Sequence, residues 1–464
     1  MEEKKVIVSP DIAPVDTEEL IGLIDERKYA EFVEKISEIP PSNIAEMFSE
    51  IPKEYYNRVY RLLPKETAAE VFVELDSDYQ EHIIGSFTDS ELSSVLLELY
   101  IDDTVDIIEE MPAVVVKRIL KNSTQENRNT INKLLKYPKD SAGSIMTTEY
   151  VRFRRDMKVG EALEHIRSVA IDKETIYTSY VTDKQRHLVG VVTAKKLLIS
   201  PLDTDLEDIM EDLVIFVNTN DDKEEVANKF KKYGFIALPV VDNEHRLVGI
   251  ITFDDAIDVI EEEVEEDIAK MAAITPSEEP YLKRSAFSVY KSRIPWLLLL
   301  MISATFSSAI LSFFENNLAS ILVLFVPMLM DTGGNSGNQA SVTLVRGLSL
   351  GEVKTSDFLK VWWREFRVGI MCGITLGIVA FGKILLIDRL IMQNSEVTLL
   401  VAAVVAVTLS ITIIIAKFVG SSLPIIASKI GLDPAVMASP FITTTVDALS
   451  LIVYYFIASP FFVK

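Results

Sequence analysis

Pro327-Met-Leu-Met-Asp331-Thr-Gly333-Gly334-Asn335-Ser336-Gly337-Asn338-Gln339 interrupts the apolar last third of the chain. Glycines, asparagines, a glutamine and an aspartate lie where the flanking residues are suited to hydrocarbon. Polar groups left unpaired in lipid cost several kcal/mol each, so such a run persists only against protein or along a wet path. Glycine lets backbones approach closely, and amide side chains bond across helices or hold a hydrated ion. The segment therefore reads as part of a pathway rather than as an anchor.

Around it, residues 281–464 read as an α-helical transmembrane domain of five spans, at 294–314, 318–346, 368–387, 397–419 and 435–458. Each meets the requirement of about 20 apolar residues, and the second, which holds the polar run, reads as long or broken. A polar linker with Lys354, Lys360, Arg364 and Arg367 is expected between the second and third spans. These residues, Lys283, Arg284, Lys291 and Arg293 before the first span, and Lys417 and Lys429 after the fourth all fall on one side. Basic residues mark the cytosolic side. The long N-terminal part is thus expected in the cytosol, on an inner or plasma membrane, with the C terminus outside.

The fifth span carries Thr443-Thr444-Thr445-Val-Asp447. A midplane charge costs about 2.5–3.5 kcal/mol on insertion scales and marks an ion or proton path by default. Mg²⁺ takes octahedral oxygen ligands at about 2.0–2.1 Å and sheds water reluctantly, so it needs few direct ligands. Asp447, with Thr443 and Thr444 a turn away, meets that demand. One such carboxylate per chain suggests a homodimer with two facing across a central pore. Asp331 is a further candidate, either in the path or at the membrane edge.

Charge is unevenly spread. Residues 1–280 carry 60 Asp+Glu against 32 Lys+Arg, whereas 281–464 carry 9 against 14. The acidic part argues for cations as partners and against nucleic acid. Met-Glu-Glu-Lys-Lys at the start lacks the apolar stretch of a signal peptide. Cys372 is the only cysteine, which excludes an intrachain disulfide and a cysteine metal cluster. His82, His165, His187 and His245 are scattered, and no phosphate loop or nucleophile motif is present, so an enzyme is disfavoured.

After a mobile lead over 1–18, the remainder of 1–137 reads as an all-α superhelical domain. Ile51-Pro, Leu63-Pro, Leu75-Asp, Phe87-Thr, Leu99-Tyr and Met111-Pro recur every 12 residues, a helix stop and restart every three turns. It reads as a scaffold without chemistry. Residues 138–253 turn to α/β. His187-Leu-Val-Gly190-Val-Val-Thr193 and Arg246-Leu-Val-Gly249-Ile-Ile-Thr252 echo each other at a spacing of 59, and Ser144-Ile-Met146 echoes Asp208-Ile-Met210. This internal repeat resembles a tandem CBS pair. That resemblance implies an adenine nucleotide such as ATP in the cleft, on Thr252 and Asp255 of the second copy. In the first copy, Lys196 stands where the carboxylate belongs. Residues 254–280 form an acidic connecting helix, with nine carboxylates between 254 and 270. A solvated charged face is the bland reading; the sharper one is a cation sensor, because the helix leads straight into the first span.

The polar run, continued by Ala340-Ser341, resembles the signature of the MgtE family of magnesium channels and transporters. The resemblance implies Mg²⁺ conduction past Asp447, with Asn335 of the glycine run nearby. It also implies closure by cytosolic Mg²⁺ on Glu224, Asp255, Asp258, Glu263, Glu266, Asp267 and Asp433. Gly234 stands where some relatives are acidic, which weakens one bridging site. A CBS-regulated carrier of another cation and a membrane-tethered nucleotide sensor are the alternatives. Selectivity among Mg²⁺, Co²⁺, Mn²⁺ and Ca²⁺ stays open, as does channel against carrier.

Overall fold

The structure, a computed structural model, describes residues 16–277, 281–282, 284–317, 319–437 and 439–462. Most of the expected mobile lead and Lys283 lie outside them. The chain divides into two compact units, Met1–Val259 and Ile260–Lys464.

The first unit begins with α1 (Thr17–Asp25), α2 (Tyr29–Ile36), α3 (Pro41–Met47), α4 (Lys53–Leu62), α5 (Lys65–Glu74), α6 (Ser77–Ser86), α7 (Asp89–Leu96), α8 (Ile101–Glu110), α9 (Ala113–Asn122) and α10 (Gln125–Leu134). Their starts fall every 12 residues from Thr17 to Gln125, so the sequence rhythm extends beyond the copies that suggested it. Ile51, Leu63, Leu75, Phe87, Leu99 and Met111 at the junctions are all buried. The next residue is the N-cap of the following helix. Pro64 and Pro112 force Leu63 and Met111 into extended backbone. Thr88 closes a capping box with Glu91. Tyr100 has no side-chain cap to offer, and the Glu149 carboxylate accepts the Ile101 N–H instead, at 3.0 Å. α3 packs on α5, α5 on α7 and α7 on α9, so that short helices that cannot bury a face alone share one core.

Two three-stranded sheets follow: β1 (Tyr150–Arg154), β2 (Thr175–Thr182) and β3 (Leu188–Thr193), then β4 (Val217–Asn218), β5 (Ala237–Val241) and β6 (Leu247–Thr252). In each the first pair is parallel and the second antiparallel. Val181 faces Gly190 and Val240 faces Gly249, each just before a register shift. The two hairpin turns match as well. Asp183 accepts from the N–H groups of Gln185 and His187, Asp242 from those of Glu244 and Arg246, and Arg186 and His245 both take positive φ. The repeats are interlocked. A Cβ on Gly190 would stand 2.5 Å from Sδ of Met210, and one on Gly249 2.6 Å from Sδ of Met146. Each copy's lead-in methionine thus packs on the other copy's sheet. Helices α11 (Val159–Val169), α12 (Ala194–Ile199), α13 (Leu206–Ile209) and α14 (Lys223–Tyr233) complete the pair. The acidic α15 (Phe253–Met271) leaves β6 without a linker and ends before the expected residue 280.

The second unit holds five long helices, α16 (Ala286–Asn317), α17 (Val326–Ser349), α18 (Phe358–Lys383), α19 (Leu399–Lys429) and α20 (Ser439–Phe462). Four of these segments are long and apolar enough to cross a membrane. The other, α17, has the length, but the polar run lowers its hydropathy. The glycine run does not break the second span: α17 is continuous through it, and the irregular part is a 3₁₀ turn over Ser320–Phe325 that meets Pro327 in the first turn of α17. The linker expected through Arg367 is instead helical from Phe358, because Trp, Arg and Glu there form two amphipathic turns that continue into the span.

Candidate functional site

Close approach by glycine positions α17 against α19 and α20. A Cβ on Gly334 would lie 3.3 Å from Thr443 Cγ2 and 3.7 Å from Asp447 Oδ1. A Cβ on Gly420 of α19 would fall on the Gly337 carbonyl oxygen. The run thus brings a backbone, rather than a side chain, up to Asp447. Among the described residues the half-buried Asp447 carboxylate has no hydrogen-bond or ion-pair partner. Thr443 and Thr444 donate their hydroxyl protons to the Pro440 carbonyl at 3.0 and 2.9 Å, leaving oxygen lone pairs to accept. Asn335 lies on another face of α17 from Gly334. It is exposed, in a stripe with Asp331 and Gln339 at four-residue intervals. A cavity of about 230 Å³ opens beside Asp447, with Thr444, Ser307 and Ser308 on its wall. The two serines of the first span escaped sequence reasoning; their signal was a Ser303-Ala-x-x-Ser307-Ser308 face of small residues within an apolar span.

The predicted regulatory carboxylates fall into different places. In the first unit, Asp255 is joined by Asp102, Asp103 and Asp106 of α8, in the domain that reads as a scaffold, and by Glu174 of the CBS pair. Burial pushes Asp103 and Asp106 up to about 7 and Glu174 to about 8, each reinforced by the charge of Asp255. Burial likewise lifts Asp255 to about 6 and holds Asp102 well above the ordinary carboxylate range. Asp102 Oδ1 and Glu174 Oε2 are buried without a hydrogen-bond partner. Asp258, exposed on α15, adds its charge to Asp255. Glu224 sits half-buried in the first turn of α14.

In the second unit, Glu266 and Asp433 share one ammonium group. Lys270 Nζ lies 2.6 Å from Asp433 and also pairs with Glu266. Asp267 accepts from Ser349 Oγ at 2.8 Å, at the last residue of α17; burial and the Asp433 charge raise it. The end of α15 is therefore tied both to the end of α17 and to the lead-in of α20. Glu263 is half-buried on the same helix. Among the described residues, no three carboxylates or imidazoles converge tightly enough to make a formed metal site.

At the nucleotide motif, Thr252 Oγ1 donates to Asp255 Oδ2 at 2.5 Å, so carboxylate and hydroxyl face each other as a ready pair. In the first copy, Lys196 pairs with Glu211 at 2.8 Å, and the site there carries no equivalent acid.

Comparison with known proteins gives one answer along the chain. The profile of the divalent cation transporter family MgtE matches residues 326–457, the MgtE intracellular N domain 39–140, and the CBS domain 142–202 and 206–262. The magnesium transporter MgtE of Thermus thermophilus is 34% identical over 431 residues, 92% of this chain and 94% of that one. The magnesium transporter MgtE of Bacillus subtilis is 32% identical over 448 residues, 95% and 96% of the two chains. A solved structure of the cytosolic domain of the Mg²⁺ channel MgtE in complex with ATP is 36% identical at a TM-score of 0.50, covering 52% of this chain and 99% of that one.

Proposed function

Since the chain belongs to the MgtE family of divalent cation transporters, we propose that it conducts Mg²⁺ past Asp447 and is closed by cytosolic Mg²⁺. The observation that carries this is an unpartnered carboxylate within an apolar helix, met by the backbone of the glycine-rich helix α17. Such a group is costly unless it faces water or a cation. The exposed Asp331, Asn335 and Gln339 stripe supports a second copy of the chain across the path, because lipid tails cannot satisfy it. Asp447, Thr443, Thr444 and Asn335 would then line a pore between two chains in the plasma or inner membrane, with the N-terminal segments cytosolic. We divide the chain for this purpose into a helical domain (1–137), a CBS pair (138–253), the acidic helix (254–280) and the pore domain (281–464).

Closure follows from electrostatics. Two like charges about 4 Å apart repel by about 4 kcal/mol at an effective dielectric of about 20. Turning a two-state pore from mostly closed to mostly open takes about 5.5 kcal/mol. Cations on Asp255, Asp258, Glu224 and the α8 carboxylates, and on Glu263, Glu266, Asp267 and Asp433, favour the compact closed state. Their loss releases repulsion of the size required. ATP would bind at Thr252 and Asp255 of the second CBS copy; the ATP-bound relative supports that reading.

The test is Mg²⁺ flux into liposomes. Asp447→Ala is expected to abolish uptake, and joint neutralisation of Asp258, Glu263 and Glu266 to keep uptake running at high internal Mg²⁺. Normal flux in Asp447→Ala would end the pore reading; normal shutdown in the triple variant would end the gating reading.

A further inference from the structure

We propose that the cavity beside Asp447 is a water-filled side chamber that holds part of the hydration shell of a divalent cation at this carboxylate. Ser307 and Ser308 of the first span anchor those waters. The inference rests on Asp447 being the conduction site and adds a helix that neither the sequence motif nor the glycine run involves.

The volume is about 230 Å³. At about 30 Å³ per liquid water, that is room for several. Mg²⁺ binds through one or two carboxylates while keeping several waters, so its site needs space for a shell more than a tight cage of ligands. Metal-bound water is a hydrogen-bond donor, and the chamber offers acceptors. Thr444 has already given its proton to Pro440 O at 2.9 Å, so its oxygen accepts. The Asp447 carboxylate only accepts when ionised. Among the described residues, Ser307 and Ser308 make no hydrogen bond, whereas nearby Thr305 folds its hydroxyl back onto Ile302 O at 2.6 Å. The two serines are thus placed for a ligand rather than for their own helix. Ser307 is half-buried and Ser308 exposed, which makes them the inner wall and the mouth. Ala304 and Met330 close the remainder with apolar surface, so water is held only along the hydroxyl and carboxylate side.

An ion that keeps its octahedral shell gains from this wall, and one that exchanges its waters freely gains less. Removing the hydroxyls should therefore slow Mg²⁺ more than Ca²⁺ and leave the internal Mg²⁺ level that shuts the pore unchanged.

The experiment uses the full chain in liposomes with Cys372→Ser as background. Ser308→Cys is treated with a membrane-impermeant cationic methanethiosulfonate, with and without Mg²⁺, and Ser307→Cys serves if the first variant folds poorly. Rapid modification, slowed by Mg²⁺ when Asp447 is present but not in Asp447→Ala, is the expected result. In flux, Ser307→Ala/Ser308→Ala should lower the Mg²⁺ rate by about tenfold, the order of one lost hydrogen-bonding interaction. Absence of modification, or modification indifferent to Mg²⁺, overturns the chamber; if Asp447→Ala still abolishes flux, the pore reading stands without it. Normal flux in Asp447→Ala removes both.

Discussion

Single residues decide how closely α17, α19 and α20 meet. At Gly420 the facing atom is the Gly337 carbonyl, backbone that cannot swing aside. Gly420→Ala should therefore push α17 off α19, at about 1–3 kcal/mol or more for overpacking. Gly382 has nothing within 4 Å of its Cβ position, so Gly382→Ala is the neutral control. Thermal unfolding in detergent should separate the two, and equal melting would show that the α17–α19 approach is not tight. Lys270 is the second decisive position. Its ammonium group neutralises Glu266 and Asp433 with no metal bound. In Lys270→Gln those carboxylates face one another uncompensated and need more Mg²⁺ to stay together. The internal Mg²⁺ that half-closes the pore should rise several-fold in liposome flux, while closure at saturating Mg²⁺ persists. An unchanged half-closing level would mean that this ion pair carries no part of the gate.

Elements show where sequence was legible. The 12-residue rhythm of α1–α10 is a covalent pattern of apolar stop and cap, so boundaries such as Leu63-Pro64 and Phe87-Thr88 could be read locally. So could the β-repeat, whose glycines sit where a methionine packs on the sheet. The α8 carboxylates could not. Asp102, Asp103 and Asp106 look like an ordinary solvated face, and only packing brings them to the charge of Asp255. Likewise, the partnership of Lys270 with Asp433 spans 163 residues of sequence. Asn335 was picked by motif, but helical phase sets it a face away from Gly334. The α8 cluster has a pH consequence. Asp103 and Asp106 at about 7 and Glu174 at about 8 keep protons that the unfolded chain releases near pH 4. The folded state thus binds more protons from about pH 4 to about pH 8, and stability falls as pH rises through that window. In divalent-free buffer, amide protection factors in α8 should drop between about pH 6 and about pH 8.5, and Mg²⁺ should restore them at the higher pH. Protection that is flat with pH would show that the cluster is not strained.

At the scale of the whole molecule, charge and polarity ask for more than one chain. An acidic N-terminal part precedes a weakly basic, more apolar part, so in the proposed orientation cytosolic cations would meet the acidic groups first. Within the membrane unit, Asp331, Asn335 and Gln339 line one exposed face of α17, and Asp447 stands on α20 with no partner among the described residues. Each group would cost several kcal/mol against hydrocarbon. A closed twofold assembly is the simplest way to turn one such face toward an identical one, because a self-complementary patch needs no other partner. The two stripes then enclose water rather than lipid, and two Asp447 carboxylates supply the pair of charges that a divalent ion balances. Asn335→Cys in a Cys372→Ser background should form an intermolecular disulfide on mild oxidation in bilayers, running as a covalent dimer on a denaturing gel. Under the proposed gating, high Mg²⁺ should speed the reaction. Ile378→Cys, on an exposed apolar face of α18 with Met371 and Ile374, should stay monomeric under the same conditions. If Asn335→Cys stays monomeric in protein that still transports Mg²⁺, the path lies within one chain, and the polar face of α17 must be covered by some other part of it.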